Sequence, residues 1–181
     1  MKTFKGRPVV PGTAEAIALV SHGGFNTLAS FQNALQFDKE EDKTAKCGDQ
    51  NNPDIYKMPM GGSALCLPQT IGSTRGGMVL YCAKVLDKCP ACMLFSEHID
   101  SLAAAGAILG AVWTDTPMPT VDCLGEEFLN TVKTGDKIKG YTAKGNKSLF
   151  FISCKGDLGS FNTDAEGTEL YIFHRHPVYA H

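Results

Sequence analysis

Apolar residues recur along this chain with two different spacings, which predict an alternation of strands and helices. Residues 7–12 contain two prolines and predict an edge or irregular strand. Apolar and other side chains alternate over residues 13–21, as in a strand with one face more buried than the other. Over residues 25–37 the spacing fits one face of a helix, with apolar side chains at Phe25, Leu28, Phe31 and Leu35. The charged segment 38–52 then predicts a surface loop.

The centre of the chain predicts a strand, a helix and a second strand. Residues 64–67 and 91–95 are short apolar runs, and residues 78–86 between them are apolar on nearly all sides. Two strands joined by a helix over about thirty residues form a parallel pair with a right-handed crossover. We expect this helix to be buried on more than one face.

The rest of the chain continues the mixed pattern, so we assign it to the α/β class. Residues 101–112 predict a second buried helix, capped by Asp100 or Ser101 and packed closely through its glycines. A short helical turn follows at 124–132, where Phe128, Leu129 and Val132 share a face. Strands are predicted at 137–142 and 148–154, and a last one near 170–177.

Composition and charge narrow the classes of function. The 181 residues predict one domain with an extension, and 43% hydrophobic and 20% charged residues are typical of globular proteins. A net charge of −2 gives no basic footprint for nucleic acid or an anionic membrane. The chain has no 18-residue apolar run, no signal-like N-terminus, and seven scattered cysteines that we expect to be reduced. We therefore expect a cytoplasmic protein.

The loop between the first central strand and its helix carries the most suggestive chemistry. Free backbone N–H groups and the positive end of a helix dipole favour an anion there. Arg75 adds a guanidinium for a carboxylate or phosphate, and Ser73 adds a hydroxyl that can transfer a proton beside the anion. This arrangement suits removal of a proton α to a carboxylate, with a Lewis acid such as an iron–sulfur cluster for the leaving hydroxide. A plain connecting loop fits the spacing equally well.

Four other groups of residues are weaker candidates. The polar turn 47–54 either lines a site or is simply solvated, and solvation is the simpler interpretation. The pair Cys89 and Cys92 has redox spacing, but it lies where a helix leads into a strand, the reverse of the thioredoxin arrangement. Two tail histidines, at positions 174 and 176, have the spacing of ligands on one strand face. A hydrolase triad of Ser73, His98 and Asp115 lacks the G-x-S-x-G elbow.

Several separated blocks, in one order over residues 5–142, resemble a known family. The sequences are Gly6-Arg7-Pro8-Val9-Val10-Pro11-Gly12, Asp49-Gln50-Asn51-Asn52-Pro53-Asp54 and Leu67-Pro68-Gln69-Thr70-Ile71-Gly72-Ser73-Thr74. Three more follow: Phe95-Ser96-Glu97, Asp100-Ser101-Leu102-Ala103-Ala104-Ala105-Gly106 and Trp113-Thr114-Asp115-Thr116-Pro117. Together they resemble the small subunit, or swivel domain, of the aconitase X group of hydro-lyases.

The resemblance implies a swivelling β/β/α domain like the fourth domain of aconitase. It places the swivel domain at residues 1–145, with a variable insertion at 24–46, and leaves 146–181 as a C-terminal extension packed on the same domain. It also implies a large-subunit partner that holds an iron–sulfur cluster, with no cofactor or metal bound by this chain alone. Known members dehydrate cis-3-hydroxy-L-proline, which we favour as substrate type, or mevalonate 5-phosphate.

The same resemblance assigns roles to individual residues. It implies that Ser73 is the catalytic base and that Arg75 binds a substrate carboxylate. We predict that the remaining substrate-binding residues are Gly72, Thr74, Asn51 and Asn52. The competing hypothesis is a non-catalytic swivel module that docks a partner and binds an anion passively.

Overall fold

A computed structural model describes residues 2–142 and 148–153, the last two residues of the first range and all of the second by their backbone. The elements of the first part are β1 (Lys2–Val10), β2 (Thr13–Val20), β3 (Phe25–Asn26), α1 (Thr27–Gln36), β4 (Ala64–Leu67), β5 (Thr70–Ile71) and α2 (Gly76–Val85). Those of the second part are β6 (Cys92–Phe95), α3 (Ser101–Trp113), β7 (Thr120–Asp122), α4 (Glu126–Thr131), β8 (Lys137–Thr142) and β9 (Ser148–Ser153).

Seven of these strands form one sheet that closes on itself. Its order is β1-β7-β6-β4-β2-β8-β9, with β9 returning to β1. The consecutive strands β2, β4, β6 and β7 are parallel, and the remaining pairings are antiparallel. The central strands β4 and β6 form the parallel pair that the apolar runs predict. The α/β prediction is therefore confirmed at the level of the described elements.

The two faces of the parallel strands contribute to two separate cores, because side chains alternate along a strand. One face of β4 and β6 presents Leu65, Leu67, Met93 and Phe95 to the helices. The opposite face presents smaller groups, among them Ala64 and Cys66, to the interior of the closed sheet. Both strands are buried on both faces, which explains why they read as continuous apolar runs.

The helices α2 and α3 cross at very short range through two glycines. A Cβ added at Gly77 would lie 2.4 Å from the Leu102 carbonyl oxygen, and one added at Gly106 would lie 2.3 Å from the Gly77 carbonyl oxygen. The expected burial of α2 on more than one face is confirmed, since α2 packs against α1, α3 and the core beneath them, although Met78 and Val85 are exposed. The helix α3, predicted as a second buried helix, leaves one side exposed instead. The helix pair covers the sheet with one face and turns an apolar face outward.

The segment after α1 is more deeply packed than its polar composition suggested. The predicted surface loop holds as far as Thr44, but Ala45 and Cys47 are buried, as are Ile55 and Met60 further along. Lys88, itself buried, fastens the start of this segment by donating from Nζ to the carbonyl oxygens of Ala34, Asp38 and Lys39 at 2.9, 3.1 and 3.0 Å. The predicted surface loop is therefore confirmed for its first half and wrong for its second half.

The N-terminal strand also differs from its prediction. It is irregular, with a shift of register between Pro8 and Val10, but it is not an edge strand, since it pairs with both β7 and β9. Residues 24–46, expected as a variable insertion, contribute β3 and α1, and Phe25 and Phe31 are fully buried in the core. The extent of variation there stays a prediction.

Part of the C-terminal prediction lies outside the described residues. Of the expected extension 146–181, the stretch that forms β9 joins the sheet, whereas positions 174 and 176 and the predicted strand 170–177 lie outside the described residues. Within residues 2–142 and 148–153, no helix is long and apolar enough to cross a membrane.

Candidate functional site

Four loops with polar side chains meet at one edge of the sheet. The parallel strands β2, β4, β6 and β7 run in the same direction, so their carboxyl ends lie together. Ligands of α/β proteins bind at such an edge. The segments that leave it here are 21–24, 68–75, 96–100 and the stretch that begins at Cys123.

The loop before α2 turns sharply and presents Ser73. Gly72 has a φ of +102°, and a Cβ there would lie 2.8 Å from Asn26 Oδ1, so glycine satisfies both the backbone angle and the close approach. The Arg75 N–H donates to Ser73 Oγ at 3.2 Å, and the Gly76 N–H donates to the Ser73 carbonyl oxygen at 2.9 Å. These bonds hold Ser73 just before the helix, with two residues between it and the first residue of α2, and its side chain is half-buried.

A pocket of about 140 Å³ lies beside Ser73, where the N-termini of three helices meet. Asn26 caps α1 by accepting from the Ala29 N–H at 3.1 Å. Asp100 caps α3 by accepting from Leu102 and Ala103 at 2.9 and 3.1 Å, which confirms one of the two predicted caps. Among the described side chains none caps α2. The pocket is lined by Thr27, Thr70, Ile71, Gly72, Ser73, Gly76, Asp100, Leu102 and Ala103.

Because of these caps, the three helix N-termini differ in how far their positive dipole ends are compensated. The Asp100 carboxylate neutralises the positive end of α3, and it also accepts a hydrogen bond from the Thr70 hydroxyl. The N-terminus of α2 has no such carboxylate, so its dipole faces the pocket without compensation from a cap. Of the three helix ends at this pocket, the start of α2, next to Ser73, is the one without a side-chain cap among the described residues.

The structure brings together some of the predicted site residues and not others. Ser73 and Gly72 line the pocket, whereas Arg75 and Thr74 are exposed beside it and do not contribute to its lining. The Arg75 guanidinium extends from the last residue before α2. The role of Arg75 in substrate binding stays a prediction.

The predicted asparagines belong to a different part of the same edge. Asn52 is buried, and its Nδ2 donates to Ser21 Oγ at 2.8 Å, which fastens the polar turn to the end of β2. The Asn51 side chain is exposed, and its N–H donates to Asp49 Oδ1 at 3.0 Å. Neither residue lines the pocket beside Ser73. Their role in substrate binding stays a prediction.

An ion pair that the apolar spacing does not predict lies at this edge, with its carboxylate buried and its guanidinium half-exposed. Asp122, fully buried, accepts from Arg7 through two bonds, Nε–Oδ1 at 2.9 Å and Nη2–Oδ2 at 2.6 Å. It also accepts from the Ile99 N–H at 3.0 Å, and His98 Nε2 lies 3.1 Å from Arg7 Nη2. Burial by itself raises the pKa of Asp122, but the bonds from Arg7 and Ile99 more than offset this, so the pKa lies below its ordinary value.

This ion pair supports the wall of the pocket. Ile99, which it holds, directly precedes Asp100, the residue that caps α3 and accepts from Thr70. In the sequence, Arg7 belongs to the first block of the resemblance, and Asp122 is the aspartate that ends the short buried strand β7. Neither feature indicated that the two side chains meet.

The alternative chemistries are not supported by the geometry. His98 is engaged by Arg7 and lies 2.7 Å from the Ile99 carbonyl oxygen through Nδ1, so it is not paired with Ser73 or Asp115 as a hydrolase triad requires. Burial raises the pKa of Cys89, and it raises the pKa of Cys92 to about 12. Both thiols are therefore protonated near neutral pH, which is unfavourable for redox catalysis.

The described residues also do not form a ligand set for a cluster. In residues 2–142 and 148–153, no three His, Cys, Asp or Glu side chains are grouped so that they could hold a metal ion. Cys47 is buried and therefore not accessible at the surface, and the same burial raises the pKa of its thiol. The iron–sulfur cluster expected in a partner stays a prediction.

The fold and site together define a class: a mixed α/β domain with a serine loop at the start of a helix and a pocket beside it. The chain belongs to the aconitase X swivel domain family, whose model matches residues 3–147. Its fold resembles the crystal structure of Thermococcus kodakaraensis aconitase X in the holo-form, with a TM-score of 0.66 and 24% identity. That likeness covers 83% of this chain and 99% of the other.

Two sequence relatives refine the comparison. The phosphomevalonate dehydratase small subunit of Thermococcus kodakarensis is 30% identical over 138 residues, which are 75% of this chain and 87% of the relative. The protein of the same name from Thermococcus onnurineus is 27% identical over 136 residues, 75% of this chain and 89% of the relative. A dehydratase is a hydro-lyase, so the predicted family and reaction class are confirmed. The words small subunit imply a large-subunit partner.

Proposed function

We propose that this chain is the small subunit of a two-chain dehydratase and that it supplies the Ser73 loop to a shared active site. The observation that carries the proposal is the position of Ser73 beside a pocket at the N-terminus of α2, which no described side chain caps. A carboxylate or phosphate of the substrate is stabilised there by the helix dipole and the backbone N–H groups. The Arg75 guanidinium is a further ligand for an anion that reaches out of the pocket.

The chemistry that this loop can perform is proton transfer. In a dehydration, a C–H bond breaks, its electron pair forms the new double bond, and a hydroxyl group leaves the neighbouring carbon. Ser73 Oγ, ionised, accepts the proton, and the positive end of α2 lowers the free energy of the ionised form. The described residues do not provide an acceptor for the leaving hydroxyl group. We therefore assign that part to the partner.

The substrate that we propose is a small phosphorylated hydroxy acid. The two relatives are named phosphomevalonate dehydratase small subunits, which favours mevalonate 5-phosphate over cis-3-hydroxy-L-proline, the substrate type that the sequence analysis favoured. Both compounds carry a carboxylate for the start of α2, and only the first carries a phosphate as well. The two compounds are to be assayed side by side.

The test is the Ser73→Ala variant in a complex with the large subunit from the same organism. Loss of a general base lowers kcat by about 10²- to 10⁴-fold. Complex formation should not change, because the side chain is only half-buried and holds one hydrogen bond, from the Arg75 N–H. Ser101→Ala is the matched control, since Ser101 is an exposed serine that does not line the pocket.

Two results would contradict the proposal in different ways. Full turnover by Ser73→Ala would remove Ser73 from the mechanism while leaving the dehydratase assignment intact. A wild-type complex that assembles but dehydrates neither substrate would favour the non-catalytic binding module instead.

A further inference from the structure

The outer surface of the helix pair is apolar and exposed to solvent. Met78 and Val85 on α2, and Leu102, Ile108, Val112 and Trp113 on α3, form what we call the α2–α3 face. Val112 is 69% exposed and Trp113 is 65% exposed. Trp113 packs edge-on against Tyr81 with ring centroids 5.6 Å apart, which joins the two helices at this end. Single exposed apolar residues are ordinary, but six on two adjoining helices are not.

Charged residues are almost absent from these two helices. The α3 sequence SLAAAGAILGAVW contains none, and α2 contains one, Lys84. Lys84 Nζ donates to Thr116 Oγ1 at 2.8 Å, which holds it against the chain's own loop. Surfaces that face water are normally mixed with charges, whereas the buried centre of a protein interface is depleted of them and enriched in aromatic residues. The α2–α3 face has the composition of an interface.

The face is continuous with the pocket beside Ser73. Leu102 belongs to both, since it is exposed on α3 and also lines the pocket. From Leu102 the face follows the length of α3, a helix of 13 residues that spans about 20 Å at the usual rise per residue. A chain that closes the pocket from the side of Leu102 therefore meets the rest of the face as well.

We infer that the α2–α3 face is the surface on which the large subunit docks, with Trp113 and Val112 as its apolar anchors. This inference rests on the proposed function, because it takes the chain that completes the pocket as the occupant. The counter-surface on the large subunit must be apolar and largely uncharged, since a charge placed against this face would be desolvated without a partner. A second copy of this chain is the less suitable occupant, because it would cover the pocket at Leu102 without supplying the missing acceptor.

The experiment introduces a charge on the face and measures binding of the large subunit. Val112→Glu and Ile108→Glu are suitable because both side chains are exposed and glutamate favours a helix, so the fold is retained. Phe37→Glu is the matched control: Phe37 is 76% exposed, but it follows α1 and belongs to neither α2 nor α3. Circular dichroism and thermal unfolding of each variant verify that it folds.

We expect the two face variants to bind the large subunit at least about thirtyfold more weakly, as loss of a central apolar contact does, and Phe37→Glu to bind like the wild type. At saturating large subunit the face variants should recover wild-type kcat, because the charge lies outside the reacting groups. Val112→Leu should bind normally, since it keeps an apolar side chain.

Each other outcome overturns the inference. If both face variants bind with wild-type affinity while the wild-type complex dehydrates its substrate, the docking surface lies elsewhere and the proposed function stands. If the wild-type chain forms a dimer that Val112→Glu dissociates, the face belongs to a second copy. If the wild-type chain forms no complex with the large subunit, the proposed function itself fails.

Discussion

Ser73 is a candidate base because of its surroundings, since a serine side chain by itself is not reactive. The loop is fixed from three directions: by Gly72 against Asn26, by the Arg75 N–H on Ser73 Oγ, and by the start of α2. A serine hydroxyl in water is a very weak acid, so the proposed role of Ser73 as a base depends on the positive potential at that helix end. The position of the residue, rather than its type, is what makes it a candidate.

The ion pair between Arg7 and Asp122 yields a prediction about stability. Asp122→Asn removes the charge that accepts from Arg7 and Ile99, and we expect the free energy of unfolding at neutral pH to fall by about 1–3 kcal/mol. The measurement is chemical denaturation followed by circular dichroism. Activity of the complex should fall as well, since the pair holds the segment that contains Asp100.

The pH dependence of stability in the same variant tests whether the charge of Asp122 causes this stabilisation. Because the pKa of Asp122 is lowered by folding, its stabilising effect is complete above its unfolded value of about 4 and is lost as the pH falls through the folded value. The wild-type chain should therefore lose more stability than Asp122→Asn between about pH 5 and pH 3. Parallel curves for the two proteins over that range would contradict the assigned role.

At the scale of elements, the crossing of α2 and α3 sets the geometry of the pocket. Gly77 and Gly106 allow the two backbones to touch, which brings the N-terminus of α2 close to that of α3. The same crossing leaves the outer sides of both helices uncovered. The pocket and the α2–α3 face thus depend on one contact between helices.

Two glycines on α3 allow a matched test of this contact. In Gly106→Ala the new Cβ meets the Gly77 backbone, so we expect a loss of about 1–3 kcal/mol in the free energy of unfolding. In Gly110→Ala the nearest atom is Cγ of the flexible Lys84 at 3.2 Å, and the higher helix propensity of alanine should give a gain of about 0.5–1 kcal/mol. Equal effects in the two variants would contradict the close crossing.

The sequence predicted these elements well where one spacing dominated. The alternation before Ser21, the apolar runs of β4 and β6, and the face of Phe128, Leu129 and Val132 all correspond to observed elements. The exposed apolar side of α3 was missed, because an all-round apolar helix looks the same in sequence whether this chain or another covers it. The packing of Cys47 and Asn52 was missed because polar turns give no periodic signal.

The candidate site was predictable only in part for a related reason. A serine and an arginine before a helix are visible as a motif, and so is their match to a family. The meeting of Arg7 with Asp122 depends on the pairing of β1 with β7, which joins residues 115 positions apart. Contacts of that kind follow from strand order, which the spacing of apolar residues does not specify.

At the scale of the whole molecule, the described features fit the proposal that this chain contributes half of an active site. It offers a serine and an uncapped helix N-terminus in the pocket, an exposed arginine beside it, and an apolar face that continues from the pocket rim. Among the described residues there is no group that could hold a metal ion. These features together explain why we expect the chain to act with a partner.

The most direct test of this account is the dehydration of mevalonate 5-phosphate by the separated and mixed subunits. We expect this chain alone and the large subunit alone to show no turnover, and their mixture to gain full activity as the small subunit is titrated to saturation. Cis-3-hydroxy-L-proline is assayed in parallel to decide the substrate. Turnover of either compound by one subunit alone, at the rate of the mixture, would contradict the shared site.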